Sequence, residues 1–115
     1  MSSGKTGSSR MAALVTGAAA RIGASIAAAL HQRGCDLVVH YNANREGADS
    51  LAGRLNAARP GSAVTVQADL SSPAGVTELA ERTRTAYGRL DVLVNNASRF
   101  YPTEVGKTRA WQWDD

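Results

Sequence analysis

Residues 11–23, Met-Ala-Ala-Leu-Val-Thr-Gly-Ala-Ala-Ala-Arg-Ile-Gly, change their hydrophobic period part-way along. Residues 11–16 are a short apolar run of strand length, whereas Ile22, Ile26, Ala29 and Leu30 recur at helical spacing. Between them, Gly17 and Gly23 bound a turn made of small residues that opens the helix. The same strand-to-helix step then repeats. Residues 36–41 (DLVVHY) read as a second strand, and Ala48, Leu51, Ala52 and Leu55 form the apolar stripe of a second helix that ends before Pro60 and Gly61. Residues 63–67 (AVTVQ) are a third strand. Ser72 and Pro73 suit the cap and first turn of a third helix, with Val76, Leu79, Ala80 and Thr83 on its inner face and Gly88 at its stop. Residues 90–95 (LDVLVN) are a fourth strand.

Strands alternating with amphipathic helices at intervals of about 25 residues indicate parallel βαβ units with right-handed crossovers, and so a sheet covered on both faces. The nearly continuous apolar strands agree with that burial. After Asn96 the sequence predicts a loop through Lys107, then the opening of another helix over residues 108–115 (TRAWQWDD). The expectation is the first half of a doubly wound α/β fold, truncated, marginally stable, and with its fourth strand an unpaired edge.

The composition sets the remaining bounds. At 115 residues and 12.0 kDa there is room for one small domain and not for two. Residues 1–10 (MSSGKTGSSR) have no periodicity and are expected to be a mobile arm, leaving residues 11–115 as the domain. Gly4-Lys5-Thr6 imitates the end of a phosphate-binding loop, but neither the earlier glycine nor the preceding strand of such a loop is there. Residues 10–20 imitate a secretory signal, yet Thr16 and Gly17 interrupt the apolar run and it leads straight into a periodic helix. No run is long enough to span a membrane. The formal charge is +3, but the arginines are scattered and no basic cluster is interleaved with aromatics, so nucleic acid is not the expected partner. The single cysteine, Cys35, permits no internal disulfide and no zinc site by itself; no metal is expected, and a reducing cytoplasm is the natural location.

Two features carry chemistry. A glycine-bounded strand-to-helix turn lets the backbone approach a pyrophosphate, and the N–H groups and dipole of the helix N-terminus point at it. The same turn can also be no more than a tight connection. About 20 residues beyond Gly23, nicotinamide-nucleotide folds discriminate a ribose hydroxyl from a 2′-phosphate. Here His40-Tyr41-Asn42-Ala43-Asn44-Arg45 supplies amide and hydroxyl donors and a guanidinium, with no carboxylate before Glu46, which favours NADP(H).

With these motifs in place, residues 12–115 resemble the short-chain dehydrogenase/reductase family, and within it the pteridine reductases. Four pieces match in order: the TGAAARIG turn, the HYN segment, Asp69-Leu70, and the run Asn95-Asn96-Ala97-Ser98-Arg99-Phe100-Tyr101-Pro102. The broad family usually carries Asn-Asn-Ala-Gly in the last motif and glycine where Arg21 stands. Ser98, Arg21 and the Phe-Tyr-Pro run depart together toward the pteridine reductases.

The resemblance implies the N-terminal half of a doubly wound parallel-sheet Rossmann fold. It implies that Gly17, Arg21, Ile22 and Gly23 line the cofactor pyrophosphate, and that the segment of His40, Tyr41, Asn42, Asn44 and Arg45 meets the adenosine ribose and its 2′-phosphate. Asp69 and Leu70 would flank the adenine, and Asn96, Ala97 and Ser98 would run beside the ribose and nicotinamide. Arg21, Ser98 and Phe100 would form the platform for a pterin or folate substrate. Plainer roles stand beside these: Asn95 tying strand ends, Asp69 ending a strand, His40 a satisfied strand-end histidine. The family's catalytic Tyr-x-x-x-Lys pair is absent, since Tyr41, Tyr87 and Tyr101 have no lysine four residues on and Lys107 stands alone, so no catalytic residue is assigned. A homo-oligomer is expected of the intact protein. Three functions remain open: a pteridine reductase, a reductase of a carbonyl such as an oxoacyl thioester, and a nucleotide-binding module without catalysis.

Overall fold

The computed structural model describes residues 10–96. It contains β1 (Ala12–Thr16), α1 (Arg21–Gln32), β2 (Asp36–Tyr41), α2 (Arg45–Ala58), β3 (Ala63–Gln67), α3 (Pro73–Tyr87) and β4 (Val92–Asn95). The strands form one parallel sheet in the order β3-β2-β1-β4, with Leu14 level with Val38 on one side and Leu93 on the other. The chain steps outward from β1 through β2 to β3 and then returns to the far side of β1. That reversal leaves a crevice at the carboxyl ends of β1 and β4.

Alternating strand residues feed two cores. Ala13, Val15, Leu37, Val39 and Tyr41 pack under α1 and α2 against Ala27, Ala48, Leu51, Ala52 and Leu55. Leu14, Val38 and Val66 pack under α3 against Leu79, with Val76 and Tyr87 partly buried beside them. The inner strands β1 and β2 are therefore buried almost throughout, whereas Val92, Leu93 and Val94 of β4 are half-buried.

The expected helical faces need two corrections. In α2 the stripe is as expected, but α1 buries Gly23, Ala27 and His31 and leaves Ile22 67% exposed and Ala29 exposed. Ile26 and Leu30 pack partly buried against the core as expected; the close approach is at the start of α1, where a β-carbon on Gly23 would overlap the Gly17 carbonyl oxygen. In α3 Leu79 and Thr83 are buried and Ala80 is exposed. Strand ends also move inward. β4 begins at Val92; just before it the Asp91 N–H donates to the Ala12 carbonyl at 2.9 Å, and the Asp91 carboxylate accepts from the Ala12 N–H at 2.9 Å and from Arg89 at 2.7 and 2.8 Å.

At the opposite end of the sheet, Arg59 donates to the carbonyls of His31 (3.1 Å) and Cys35 (2.6 Å), which joins the end of α1 to the start of β2. The buried His31 ring meets Ser62 Oγ at 2.6 Å. Burial, then Arg59, lowers the His31 pKa, and Cys35 is a buried thiol whose pKa burial raises. No helix among the described residues is long and apolar enough to cross a membrane. The expected arm up to residue 9, the positions Ala97, Ser98 and Phe100, the loop through Lys107 and the helix from Thr108 lie outside the described residues.

Candidate functional site

The crevice at the strand reversal is an open cleft of about 680 Å³. The turn after β1 lines one wall with Gly17, Ala20, Arg21 and Ile22; Asp69, Leu70 and Ser71 line another; His40, Asn42 and Asn96 complete it.

Gly17 ends β1 with φ 64°, a left-handed conformation that glycine adopts without steric cost. Its N–H donates to His40 Nδ1 at 2.9 Å, the Ala18 N–H donates to the His40 carbonyl at 2.9 Å, and the Ala20 N–H returns to the Gly17 carbonyl at 3.2 Å. Across the cleft floor Thr16 Oγ1 accepts from the Asn96 N–H at 2.9 Å, and Asn96 Nδ2 donates to the Gly17 carbonyl at 3.3 Å. Thr16 Oγ1 also lies 3.0 Å from Asn95 Oδ1. Glycine, threonine and the two asparagines thus join β1 to β4 where the cleft opens.

His40 is 2% exposed, and its Nε2 lies 2.9 Å from the Ala68 carbonyl. Burial lowers its pKa, with the Ala68 bond acting the other way. The ring is held neutral.

The helix heads differ in a way that bears on ligands. Asn44 Oδ1 caps α2 through the Gly47 N–H at 2.9 Å, and Ser72 Oγ caps α3 through the Gly75 N–H at 3.1 Å. Ala20 offers α1 no side-chain cap, and no acid stands in its first turn. Arg21 begins that helix without an ion pair or side-chain hydrogen bond among the described residues. A cation at a helix N-terminus is electrostatically misplaced by about 0.3–1 kcal/mol unless an anion joins it.

Of the residues expected at a cofactor, the cleft collects Gly17, Arg21, Ile22, His40, Asn42, Asp69, Leu70 and Asn96. Gly23 lies behind the turn, with Asn96 Nδ2 2.7 Å from where its β-carbon would stand. Tyr41 does not face the cleft: its side chain is buried in the core under α1 and α2. Asn44 and Arg45 stand at the head of α2, where the Asn44 oxygen is occupied as a cap and Arg45 is exposed. Asn42 is oriented by Gln67, whose Nε2 donates to the Asn42 carbonyl at 3.0 Å and to Oδ1 at 3.2 Å. Asp69 Oδ1 accepts from the Ser71 N–H at 2.9 Å and from Ser71 Oγ at 2.6 Å, closing the bend into α3. Ala20, Ser71 and Gln67 were not singled out by the sequence reading. The Asp-x-Ser spacing of an Asx turn was the available signal for Ser71; Ala20 and Gln67 carry none.

The sequence pattern of the family described as short chain dehydrogenase matches residues 11–115. The chain belongs to that family. Pteridine reductase 1 of Leishmania tarentolae is 46% identical over 110 residues, covering 81% of this chain and 38% of that protein. A short-chain type dehydrogenase/reductase of Picea abies is 34% identical over 110 residues, covering 89% of this chain and 40% of that protein. A 3-oxoacyl-[acyl-carrier-protein] reductase of Synechocystis is 36% identical over 101 residues, covering 88% and 40%. The chain thus spans roughly two fifths of the length of these curated relatives. What it contains is the Rossmann-like N-terminal part of a pteridine reductase-like short-chain dehydrogenase, four parallel strands with three helices. The family is one of oxidoreductases, and membership implies a nicotinamide cofactor. The cleft suits one: an uncapped helix head with a spare guanidinium matches a pyrophosphate, and the absence of a β-carbon at Gly23 keeps the turn tight.

Proposed function

We propose that the whole protein is an NADP(H)-dependent reductase of pterin or dihydrofolate rings, and that this chain supplies the cofactor-binding half. The observation that carries the cofactor reading is the head of α1, uncapped, without an acid, and bearing in the cleft an Arg21 that has no ion pair among the described residues. On this reading Gly17, Arg21, Ile22 and Gly23 hold the pyrophosphate, and Asp69 and Leu70 flank the adenine. Asn96, Ala97 and Ser98 run beside the ribose and nicotinamide. Asn42 in the cleft, with Asn44 and Arg45 at the head of α2, presents donors to a 2′-phosphate, and no carboxylate stands among residues 40–45 to repel it. His40 ties the Gly17 turn to Ala68, and Tyr41 fills the core under α1 and α2.

The bound nicotinamide supplies a hydride. This chain's residues bind and orient: Arg21 at the helix head and Ser98 hold the polar edge of the substrate, and Phe100 stacks on its ring. None of Tyr41, Tyr87 and Tyr101 begins a Tyr-x-x-x-Lys pair, so the proton is supplied by residues other than these tyrosines. The pterin assignment draws support from the identity with pteridine reductase 1, and from Arg21, Ser98 and Phe100 occurring together. A carbonyl substrate such as an oxoacyl thioester is the second reading, favoured by the similarity to the Synechocystis reductase. We place the protein in the cytoplasm as a homo-oligomer, where its thiol stays reduced.

The deciding experiment is steady-state oxidation of NADPH and NADH by the whole protein with a dihydropterin, dihydrofolate and a 3-oxoacyl thioester in parallel. Turnover confined to the thioester replaces the pterin reading with the second. Cofactor binding without turnover of any of them points to a non-catalytic module.

A further inference from the structure

We propose that His40 is a positioning residue for the dinucleotide cleft, a buried strut whose imidazole ties the Gly17 turn to the end of β3. The proposal rests on the cofactor reading above and assigns His40 a part that contacts nothing in the ligand. A backbone N–H only donates and a backbone carbonyl only accepts. Flanked by the Gly17 N–H at 2.9 Å and the Ala68 carbonyl at 2.9 Å, the ring must accept at Nδ1 and carry its proton at Nε2. Both nitrogens are then spent, and neither is left for a cofactor.

The strut is well placed to control the cleft. The His40 carbonyl takes the Ala18 N–H at 2.9 Å, so one residue near the end of β2 holds two successive amides of the turn after β1. Ala68 immediately precedes Asp69 and Leu70, which line the other wall. A dinucleotide that reaches both walls needs their separation fixed before it binds, and His40 is the bond between them. Protonation undoes this: a second ring proton at Nδ1 would face the Gly17 N–H, donor against donor. At this end of the sheet the charged groups are Arg21 at the head of α1, Arg45 and Glu46 at the head of α2, and Asp69 after β3; α3, which packs on the face His40 shares with Val38, carries its first charge at Glu78, and no charged group is a cause of the shift at His40. Burial lowers the pKa of the ring, and the Ala68 bond acts the other way.

The test is the dissociation constant of NADPH for the whole protein and its His40 variants between about pH 5.5 and about pH 8. His40→Asn keeps an acceptor near Nδ1 but does not reach Ala68, so it breaks the strut and should bind about tenfold or more weakly than the parent near the upper pH. His40→Gln, which reaches Ala68 but not Gly17, and His40→Leu, which reaches neither, should each bind about tenfold or more weakly. On acidification the parent should lose affinity relative to His40→Asn; the comparison at equal pH cancels the titration of the cofactor's own phosphate. Thermal melts establish which variants are folded, and if His40→Leu is not, the Asn and Gln pair decides. Equal affinity in parent and His40→Gln, with parallel pH profiles in parent and His40→Asn, would overturn the proposal while leaving the cofactor reading intact. So would ring nitrogen shifts showing the proton on Nδ1. Failure of the parent to bind either NADPH or NADH overturns the cofactor reading and the proposal together.

Discussion

A β-carbon on Gly23 would overlap the carbonyl oxygen of Gly17, six positions earlier in the turn. That carbonyl is already the acceptor for the Ala20 N–H and for Asn96 Nδ2, so it has no freedom to withdraw. Gly23→Ala should destabilise the fold by about 1–3 kcal/mol, the usual consequence of overpacking a tight contact, and should weaken cofactor binding further. Urea denaturation read beside a cofactor titration measures both. An unchanged midpoint would mean that α1 can lift from the sheet without loss.

Arg45 stands exposed at the head of α2 with no carboxylate among residues 40–45. A phosphate paired with a guanidinium is worth about 1.5–3 kcal/mol, roughly ten- to a hundredfold in affinity. Arg45→Glu in the whole protein should therefore remove most of a preference for NADPH over NADH, read as the ratio of the two dissociation constants. An unchanged ratio would place the 2′-phosphate on other donors.

On the pterin reading proposed above, Phe100→Ala in the whole protein should raise the KM for a pterin more than the KM for NADPH, since ring stacking contributes about 0.5–1.5 kcal/mol beyond burial. Equal effects on both constants would assign the ring to the core and favour the carbonyl reading.

Acid should destabilise the fold through its histidines. His31 and His40 both have pKa values lowered from the ordinary 6.5, chiefly by burial, with Arg59 adding to the effect at His31. The unfolded chain then binds more protons than the folded one once the pH falls below about 6.5. Stability due to the neutral rings is full above that pH and declines as the pH falls toward their lowered folded values. The urea midpoint should drop over this window, and His40→Asn should flatten part of the drop. A midpoint independent of pH there would show that neither ring is buried in its neutral form.

The periodicity of the chain was enough to read the bounds of β2 and β3, the Ser72 cap, the apolar stripe of α2 and the α/β alternation, because each depends on residues within a few positions of one another. The glycine turn was legible for the same reason, whereas the Asp69-Leu70 pair stood out only through the resemblance to the family. The face that α1 buries was legible only in part: Ile26 and Leu30 pack against the core, but helical spacing scores Ile22 above Gly23, while the close approach of the helix start to the Gly17 turn leaves room only for glycine there. Nor could a linear reading separate His40, which joins the Gly17 turn to Ala68, from Tyr41 beside it, which fills the core; alternate residues of a strand face opposite ways, and only the layers packed on each side say which is which. The closure of the cleft by Asn96 on Gly17 spans 79 residues and exists only because β4 returns to the side of β1. Local sequence determined the elements and which of them carry small or polar ends; the order of the strands in the sheet decided which of those ends meet.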